Sequence, residues 1–196
     1  VYHRAKMMDP SRLVEDNSPC HGDHVETELN TWHVYLHGYH RWKEHLDRLE
    51  RETYPGGTEN YMAPNVQNGA PLMHSECGMV WGVEGSAGDS DLSWQYHYML
   101  NEFHLHEKQM GFVFTEFRDV VNEFNGYYRI DNSDKDWAYD ALCDGMTLRD
   151  LHTPFFPAID APPCQTHLGG ETVEVPLALA NHIGEKRLFR LRWLLW

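Results

Sequence analysis

Two glutamates that each follow a short apolar run are the residues of this chain best suited to chemistry. Residues 71–75 lead into Glu76, and residues 110–115 lead into Glu116. Such a run predicts a buried strand, and a carboxylate at the carboxyl end of a barrel strand points into the active site. Two carboxylates on opposite sides of a sugar hydrolyse glycosidic bonds, and Glu76 suits the nucleophile. The alternative is that both glutamates are surface charges at strand ends.

Aromatic and hydrogen-bonding side chains near the predicted strand ends are candidate sugar contacts. A sugar has apolar faces and hydroxyl-rich edges, so its site needs both aromatic surface and polar groups. We expect Glu116 and His33 to be the foremost contacts. The remaining candidates are Tyr35, Trp32, Trp81 and Asn17.

The spacing of apolar residues predicts the elements that position these groups. Trp42, Leu46 and Leu49 recur at helical spacing and predict an amphipathic helix over residues 40–52. The other predicted elements are the end of a helix over residues 1–9, strands at 12–17, within 28–36, at 71–76 and at 110–116, a long loop over 53–69, and a helix capped by Ser90 or Asp91 that runs to about Glu107.

The order of these elements predicts an α/β fold, the second half of a (β/α)8 TIM barrel. The four strands would be strands five to eight, over residues 1–152. Over residues 153–196 the apolar residues alternate with others, which predicts the start of an all-β, immunoglobulin-like sandwich domain. A complete barrel needs about 250 residues. Because this chain has 196 residues, we expect it to be a piece of a longer protein.

The segment at residues 71–78, Pro-Leu-Met-His-Ser-Glu-Cys-Gly, resembles strand seven of glycoside hydrolase family 2. That family contains β-galactosidases, β-glucuronidases and β-mannosidases. Residues 111–116 resemble its strand eight, and residues 119–131 resemble the segment that follows in one branch of the family. The weaker similarities are residues 9–12 to the approach to strand five, residues 32–35 to strand six, and the tail from residue 154 to the opening of the sandwich domain.

The resemblance implies a retaining hydrolase of β-glycosidic bonds, with Glu76 as the nucleophile that attacks the anomeric carbon. The family's acid/base glutamate belongs to an Asn-Glu pair at the end of strand four. The pairs Asn101-Glu102 and Asn122-Glu123 fall elsewhere. We therefore expect the acid to lie upstream of Val1, and the chain alone to have no glycosidase activity.

Three positions depart from the family pattern. Cys77 replaces the tyrosine that usually follows the nucleophile, and Phe114 replaces the tryptophan that usually ends strand eight. Thr115-Glu116 replaces a pair that commonly contains Asn or Asp. These departures leave the identity of the sugar open.

Charge and composition exclude several classes of partner. The formal net charge of −14 argues against a nucleic-acid or anionic-membrane surface. No apolar run approaches the ~20 residues of a membrane span. The four cysteines include no CxxC pair and indicate neither a disulfide framework nor a zinc site. The expected partner is a carbohydrate, whereas the sequence specifies no oligomeric state or compartment.

Two further function classes compete with catalysis. The first is a carbohydrate-binding relative that lacks the acid. The second is a metal-binding scaffold, because His33, His37 and His40 would share one face of a helix. Since this segment is predicted to begin as a strand, where that spacing does not converge, we expect neither a metal nor a cofactor.

Overall fold

A parallel sheet at the centre of the chain positions the candidate glutamates. The computed structural model describes residues 1–18, 22–78, 92–121 and 123–193. In chain order its elements are α1 (Tyr2–Met8), β1 (Asn30–Tyr35), α2 (Tyr39–Glu52), β2 (Leu72–Gly78), α3 (Ser93–Leu105), β3 (Gln109–Phe114), α4 (Tyr139–Leu142), a 3-10 helix (Leu148–His152), β4 (Phe155–Ile159) and β5 (Leu177–Asn181).

The three strands of this sheet run parallel in the order β1-β2-β3, so β2, which carries Glu76, is central. Parallel neighbours need a crossover connection, and α2 and α3 lie within the two crossovers. The carboxyl ends of the strands therefore meet at one edge of the sheet. Tyr35, Gly78 and Phe114 are the last residues of the three strands.

Helices α2 and α3 pack against each other and against one face of the sheet. The apolar stripe predicted for α2 is confirmed, because Trp42, Leu46 and Leu49 are all buried. Cys77 and Phe114 of the sheet belong to one buried cluster with Trp42 and Leu46. The helix predicted to run to about Glu107 is confirmed as α3, and Leu92, Tyr96, Met99, Leu100 and Phe103 are all buried. Its predicted caps, Ser90 and Asp91, lie outside the described residues.

The predicted half of a TIM barrel is wrong. The described residues form four α-helices and two small sheets, one of three parallel strands and one of two antiparallel strands. Residues 12–17, predicted as strand five, form no strand. Glu15 and Asp16 explain the difference, since their carboxylates accept hydrogen bonds from side chains and backbone that meet there.

The predicted start of an immunoglobulin-like sandwich is also wrong. Strands β4 and β5 pair only with each other among the described residues. Leu177 and Leu179 alternate as predicted, but their side chains are 49% and 44% exposed and face no second sheet in the described part of the chain. Residues 182–193 contain no strand. The alternation of apolar residues therefore indicates strand β5 correctly, but it does not show whether a second sheet packs against that strand.

The two-stranded sheet packs on the same core as the parallel sheet. Phe156 and Ala158 of β4 are buried in the cluster that contains Tyr96 of α3. The division into domains at residues 152 and 153 stays a prediction. No helix among the described residues is long and apolar enough to cross a membrane.

Candidate active site

A β-bulge in β2 sets the direction of Glu76. Thr31 pairs with Met73, but His33 pairs with Glu76, so two steps along β1 match three along β2. The same extra residue appears against β3. A bulge of this kind re-aims a side chain and is common next to active sites.

The bulge places two consecutive side chains on the face that α2 and α3 leave uncovered. His74 and Cys77 are fully buried on the helical side. Between them, Ser75 and Glu76 are only partly buried, and both make polar contacts with residues outside the helices. The side chain of Glu76 is 38% exposed, so its carboxylate is accessible to a ligand.

Tyr35 fixes the carboxylate of Glu76. Its hydroxyl donates a hydrogen bond of 2.7 Å to Glu76 Oε1. Burial, followed by the hydrogen bond to Glu76, raises the pKa of Tyr35, so the phenol keeps its proton and remains the donor. One carboxylate oxygen is therefore oriented by a donor from the neighbouring strand.

Gly78 makes room for the Tyr35 ring. A Cβ atom at residue 78 would lie 2.8 Å from Tyr35 Cε1 and 3.1 Å from the carbonyl oxygen of Thr115. Any side chain would push away the Tyr35 ring or the backbone at Thr115. The glycine after Glu76-Cys77 is thus part of the site, because it permits the Tyr35–Glu76 contact.

His33 lies on the same side of β1 as Tyr35 and contacts the second oxygen of Glu76. Its Nδ1 lies 3.5 Å from Glu76 Oε2. At the opposite corner of the ring, Nε2 is hydrogen-bonded to the hydroxyl of Ser18. The sequence does not indicate this contact, because Ser18 and His33 are 15 positions apart.

Glu15 is a second carboxylate on this side of the sheet. Its Oε1 accepts hydrogen bonds from the hydroxyls of Ser75, at 2.7 Å, and Thr31. These contacts tie the segment before β1 to the bulge of β2. The sequence predicts a strand at Glu15 and no functional role for it, because its partner Ser75 is 60 residues away.

Glu116 follows β3 at the same edge of the sheet. The backbone N–H of Thr115 donates to the carbonyl of Cys77 at 2.8 Å, which keeps this segment beside β2. Burial, then the charges of Glu123 and Asp119, raises the pKa of the Glu116 carboxyl group. Its Oε1 is buried without a hydrogen-bond partner among the described residues.

A buried ion pair holds the loop that carries Glu116. Lys135 Nζ lies 2.7 Å from Asp119 Oδ1 and also donates to the carbonyl of Phe124, with both charged side chains at most 5% exposed. Gly126 N–H donates to the same Asp119 oxygen at 2.8 Å. The loop is therefore anchored to one carboxylate rather than left loose.

Models of known protein families do not match this chain, and no curated protein is significantly similar to it. The function must therefore be argued from the site itself.

The structure brings together only part of the predicted site. Glu76, His33 and Tyr35 are in direct contact. Trp32 points to the opposite face, since successive residues of a strand alternate, and it is buried against Leu49 and Leu72. Asn17 is exposed, next to Ser18. Trp81 lies outside the described residues.

Two buried histidines lie on the helical side of β2. His74 Nδ1 donates to Gln109 Oε1 at 3.2 Å, so its Nε2 accepts a hydrogen bond of 3.0 Å from His45 Nε2. Burial, then the charge of Arg48, lowers the pKa of His45 to about 4. Burial also places the pKa of His74 well below its ordinary value. Both rings are therefore neutral near pH 7.

Elsewhere in the described residues, the structure contains a cavity but no cluster of potential metal ligands. Among the residues that the structure describes, no group of three or more His, Cys, Asp or Glu side chains is arranged to hold a metal ion. A cavity of about 350 Å³ lies between α2, α3 and the 159–165 segment. Aromatic and proline side chains line it, and none of the predicted site residues does.

Proposed function

We propose that this chain carries the nucleophile of a retaining β-glycoside hydrolase. The observation that carries the proposal is the accessible Glu76 carboxylate, held by the Tyr35 hydroxyl at 2.7 Å at the carboxyl edge of a parallel sheet. A nucleophilic carboxylate must be oriented yet open to the anomeric carbon, and Glu76 meets both needs. The resemblance of residues 71–78 to glycoside hydrolase family 2 supports the same role.

In this reaction Glu76 attacks the anomeric carbon while the bond to the leaving group breaks. The product is a glycosyl ester on Glu76, which water then hydrolyses with retention of configuration. His33 and Tyr35 lie against the carboxylate and are placed to contact the sugar hydroxyls. Glu116, at the end of the next strand, is the second proposed sugar contact.

The proton donor is proposed to lie outside these 196 residues. Without it, a glycoside with a poor leaving group should not react. A 2,4-dinitrophenyl β-glycoside releases a stable phenolate that needs no protonation. Its cleavage therefore isolates the nucleophilic step.

The test is stopped-flow release of dinitrophenolate from 2,4-dinitrophenyl β-galactoside, β-glucuronide and β-mannoside. We expect one of them to give a burst of at most one equivalent and no turnover beyond it, because hydrolysis of the glycosyl ester needs the base that is proposed to lie outside these residues. Glu76→Gln should abolish the burst. Glu107→Gln is the matched control, since Glu107 is exposed at the amino end of β3.

Two outcomes would contradict Glu76 as the nucleophile. A burst that survives Glu76→Gln, or no burst with any of the three glycosides, would remove Glu76 from the nucleophile's role. Sugar binding without a burst would instead favour the carbohydrate-binding alternative.

A further inference from the structure

Ser18, His33 and Glu76 form a connected series, and the Ser18 hydroxyl at its end has no part in glycoside hydrolysis. The Ser18 hydroxyl is hydrogen-bonded to His33 Nε2, and His33 Nδ1 faces Glu76 Oε2 at 3.5 Å. A carboxylate can only accept, so the ring proton belongs on Nδ1, and Nε2 is left to accept from the serine hydroxyl. Hydroxyl, imidazole and carboxylate in this order are the parts of a catalytic triad.

The hydroxyl at one end of the series is accessible to solvent, whereas the imidazole in the middle is mostly buried. Ser18 is exposed, and the side chain of His33 is only 15% exposed between it and Glu76. The other oxygen of Glu76 is held by Tyr35 at 2.7 Å, which prevents the carboxylate from turning away from the imidazole. A gap of 3.5 Å is longer than an ideal hydrogen bond, but such contacts are often loose before substrate binds.

We propose that this series makes Ser18 a nucleophile toward acyl esters. Ser18 Oγ would attack the ester carbonyl carbon while its proton passes to His33 Nε2. The C–O bond to the alcohol then breaks, and the alcohol leaves with that proton. Water, deprotonated by the same nitrogen, then attacks the acyl carbon; the bond from that carbon to Ser18 Oγ breaks, Ser18 Oγ takes the proton back from His33, and the acid is released without consuming a cofactor or oxidant.

Each residue has a distinct part in this reaction. Ser18 and His33 are the catalytic residues, whereas Glu76 acts through His33 and is a positioning residue. The exposed side chain of Asn17, next to Ser18, is an amide of the type that stabilises oxyanions. Because Ser18 is exposed, the substrate class is an acyl ester that reaches the serine from solvent.

The test is covalent labelling of the whole chain with a fluorophosphonate probe, located by peptide mass spectrometry. The serine oxygen attacks phosphorus, fluoride leaves and His33 takes the proton, as in acyl transfer. We expect one equivalent of label on Ser18 and none in Ser18→Ala. Ser11→Ala is the matched control, because Ser11 is also exposed but its hydroxyl donates to Asp9 instead of a histidine.

Rescue by imidazole distinguishes a catalytic role of His33 from a structural one. His33→Ala should slow labelling of Ser18 about 100-fold, and added imidazole should restore much of the rate. Glu76→Gln, which replaces the acceptor that faces Nδ1, should also slow labelling. Circular dichroism of each variant checks that the fold is kept, and His33→Gln replaces His33→Ala if the latter does not fold.

Three outcomes would overturn the proposal: no label on Ser18 in the folded chain, label at several serines, or labelling of Ser18 that is unchanged in His33→Ala. This test is separate from that of the glycosidase. Labelling of Ser18 uses no sugar, and the dinitrophenolate burst needs no serine, so each proposal can fail while the other stands.

Discussion

At the scale of single residues, the site depends on one hydrogen bond and on the glycine that makes room for it. Tyr35 donates to Glu76 at 2.7 Å, and its ring occupies space that a side chain at Gly78 would fill. The hydroxyl keeps its proton because burial and Glu76 raise the pKa of Tyr35. Reactivity at Glu76 should therefore respond to the loss of a single oxygen atom on Tyr35.

Tyr35→Phe should slow the dinitrophenolate burst about 10-fold or more, since hydrogen bonds to charged groups contribute about 1.5–3 kcal/mol. The measurement is the burst rate at saturating glycoside. Tyr54→Phe is the control, because Tyr54 is 58% exposed in the loop after α2. A burst rate unchanged in Tyr35→Phe would show that the bond does not orient the nucleophile.

The paired histidines His45 and His74 predict a loss of stability in mild acid. In the folded chain burial lowers the pKa of His45 from 6.5 to about 4, so between these values the unfolded chain binds more protons. The free energy of unfolding is therefore unaffected by protonation of these histidines above about pH 6.5. Below that pH it falls by about 1.4 kcal/mol per pH unit for each such histidine.

His45→Gln keeps a donor for His74 and removes one titrating group. Urea unfolding between pH 7 and pH 5 should show a shallower fall in the free energy of unfolding for this variant than for the parent chain. His40→Gln, on the exposed face of the same helix, should keep the parent slope. Equal slopes in all three proteins would contradict a buried neutral His45.

Sequence reasoning found the residues of the site that lie on strands and missed those that meet them from elsewhere. Glu76, His33 and Tyr35 were predicted and are in contact. Ser18 and Glu15 were not, because their contacts join positions 15 and 60 residues apart. Nor does the strand period of two show a bulge, although the bulge determines which way Glu76 points.

At the scale of elements, two local features present the carboxylates. The bulge in β2 turns Glu76 away from the helices, and the 116–135 loop that follows β3 carries Glu116. The loop is held by the buried Asp119–Lys135 pair. Gly126 closes it, since a Cβ there would lie 2.4 Å from the backbone of Arg118 and Asp119.

Lys135→Met should destabilise the chain by about 3–5 kcal/mol, because it leaves the buried Asp119 carboxylate without its counter-charge. Denaturant unfolding measures the change. Lys186→Met is the matched control, as Lys186 is exposed. The double variant Asp119→Asn/Lys135→Met should recover part of the loss, and a single-variant cost below about 1 kcal/mol would mean that the pair does not hold the loop.

The helices and strands of the parallel sheet could be predicted because their apolar spacing is regular and their burial is one-sided. The three predicted strands within residues 28–36, 71–76 and 110–116 are confirmed. The prediction of how these elements assemble, as half of a barrel followed by a sandwich, was wrong. A run such as residues 12–17 has apolar members, but the carboxylates of Glu15 and Asp16 accept hydrogen bonds from Ser75 and from the backbone of residues 25–26.

At the scale of the whole molecule, the fold and the function rest on different observations. Three parallel strands and a separate two-stranded sheet replace the expected barrel and sandwich. The net charge of −14 favours a neutral or cationic partner over a polyanion. The proposal of glycoside hydrolysis therefore depends on the geometry around Glu76 and not on the fold class.

The most direct test of that proposal is to trap the intermediate on Glu76. A 2,4-dinitrophenyl 2-deoxy-2-fluoro-β-glycoside of the sugar that gives the burst forms its glycosyl ester without needing an acid, and the fluorine slows hydrolysis of that ester. Digestion and peptide mass spectrometry then identify the modified residue. We expect one equivalent of adduct on Glu76; an adduct on another residue, or none, would contradict the proposed role of Glu76.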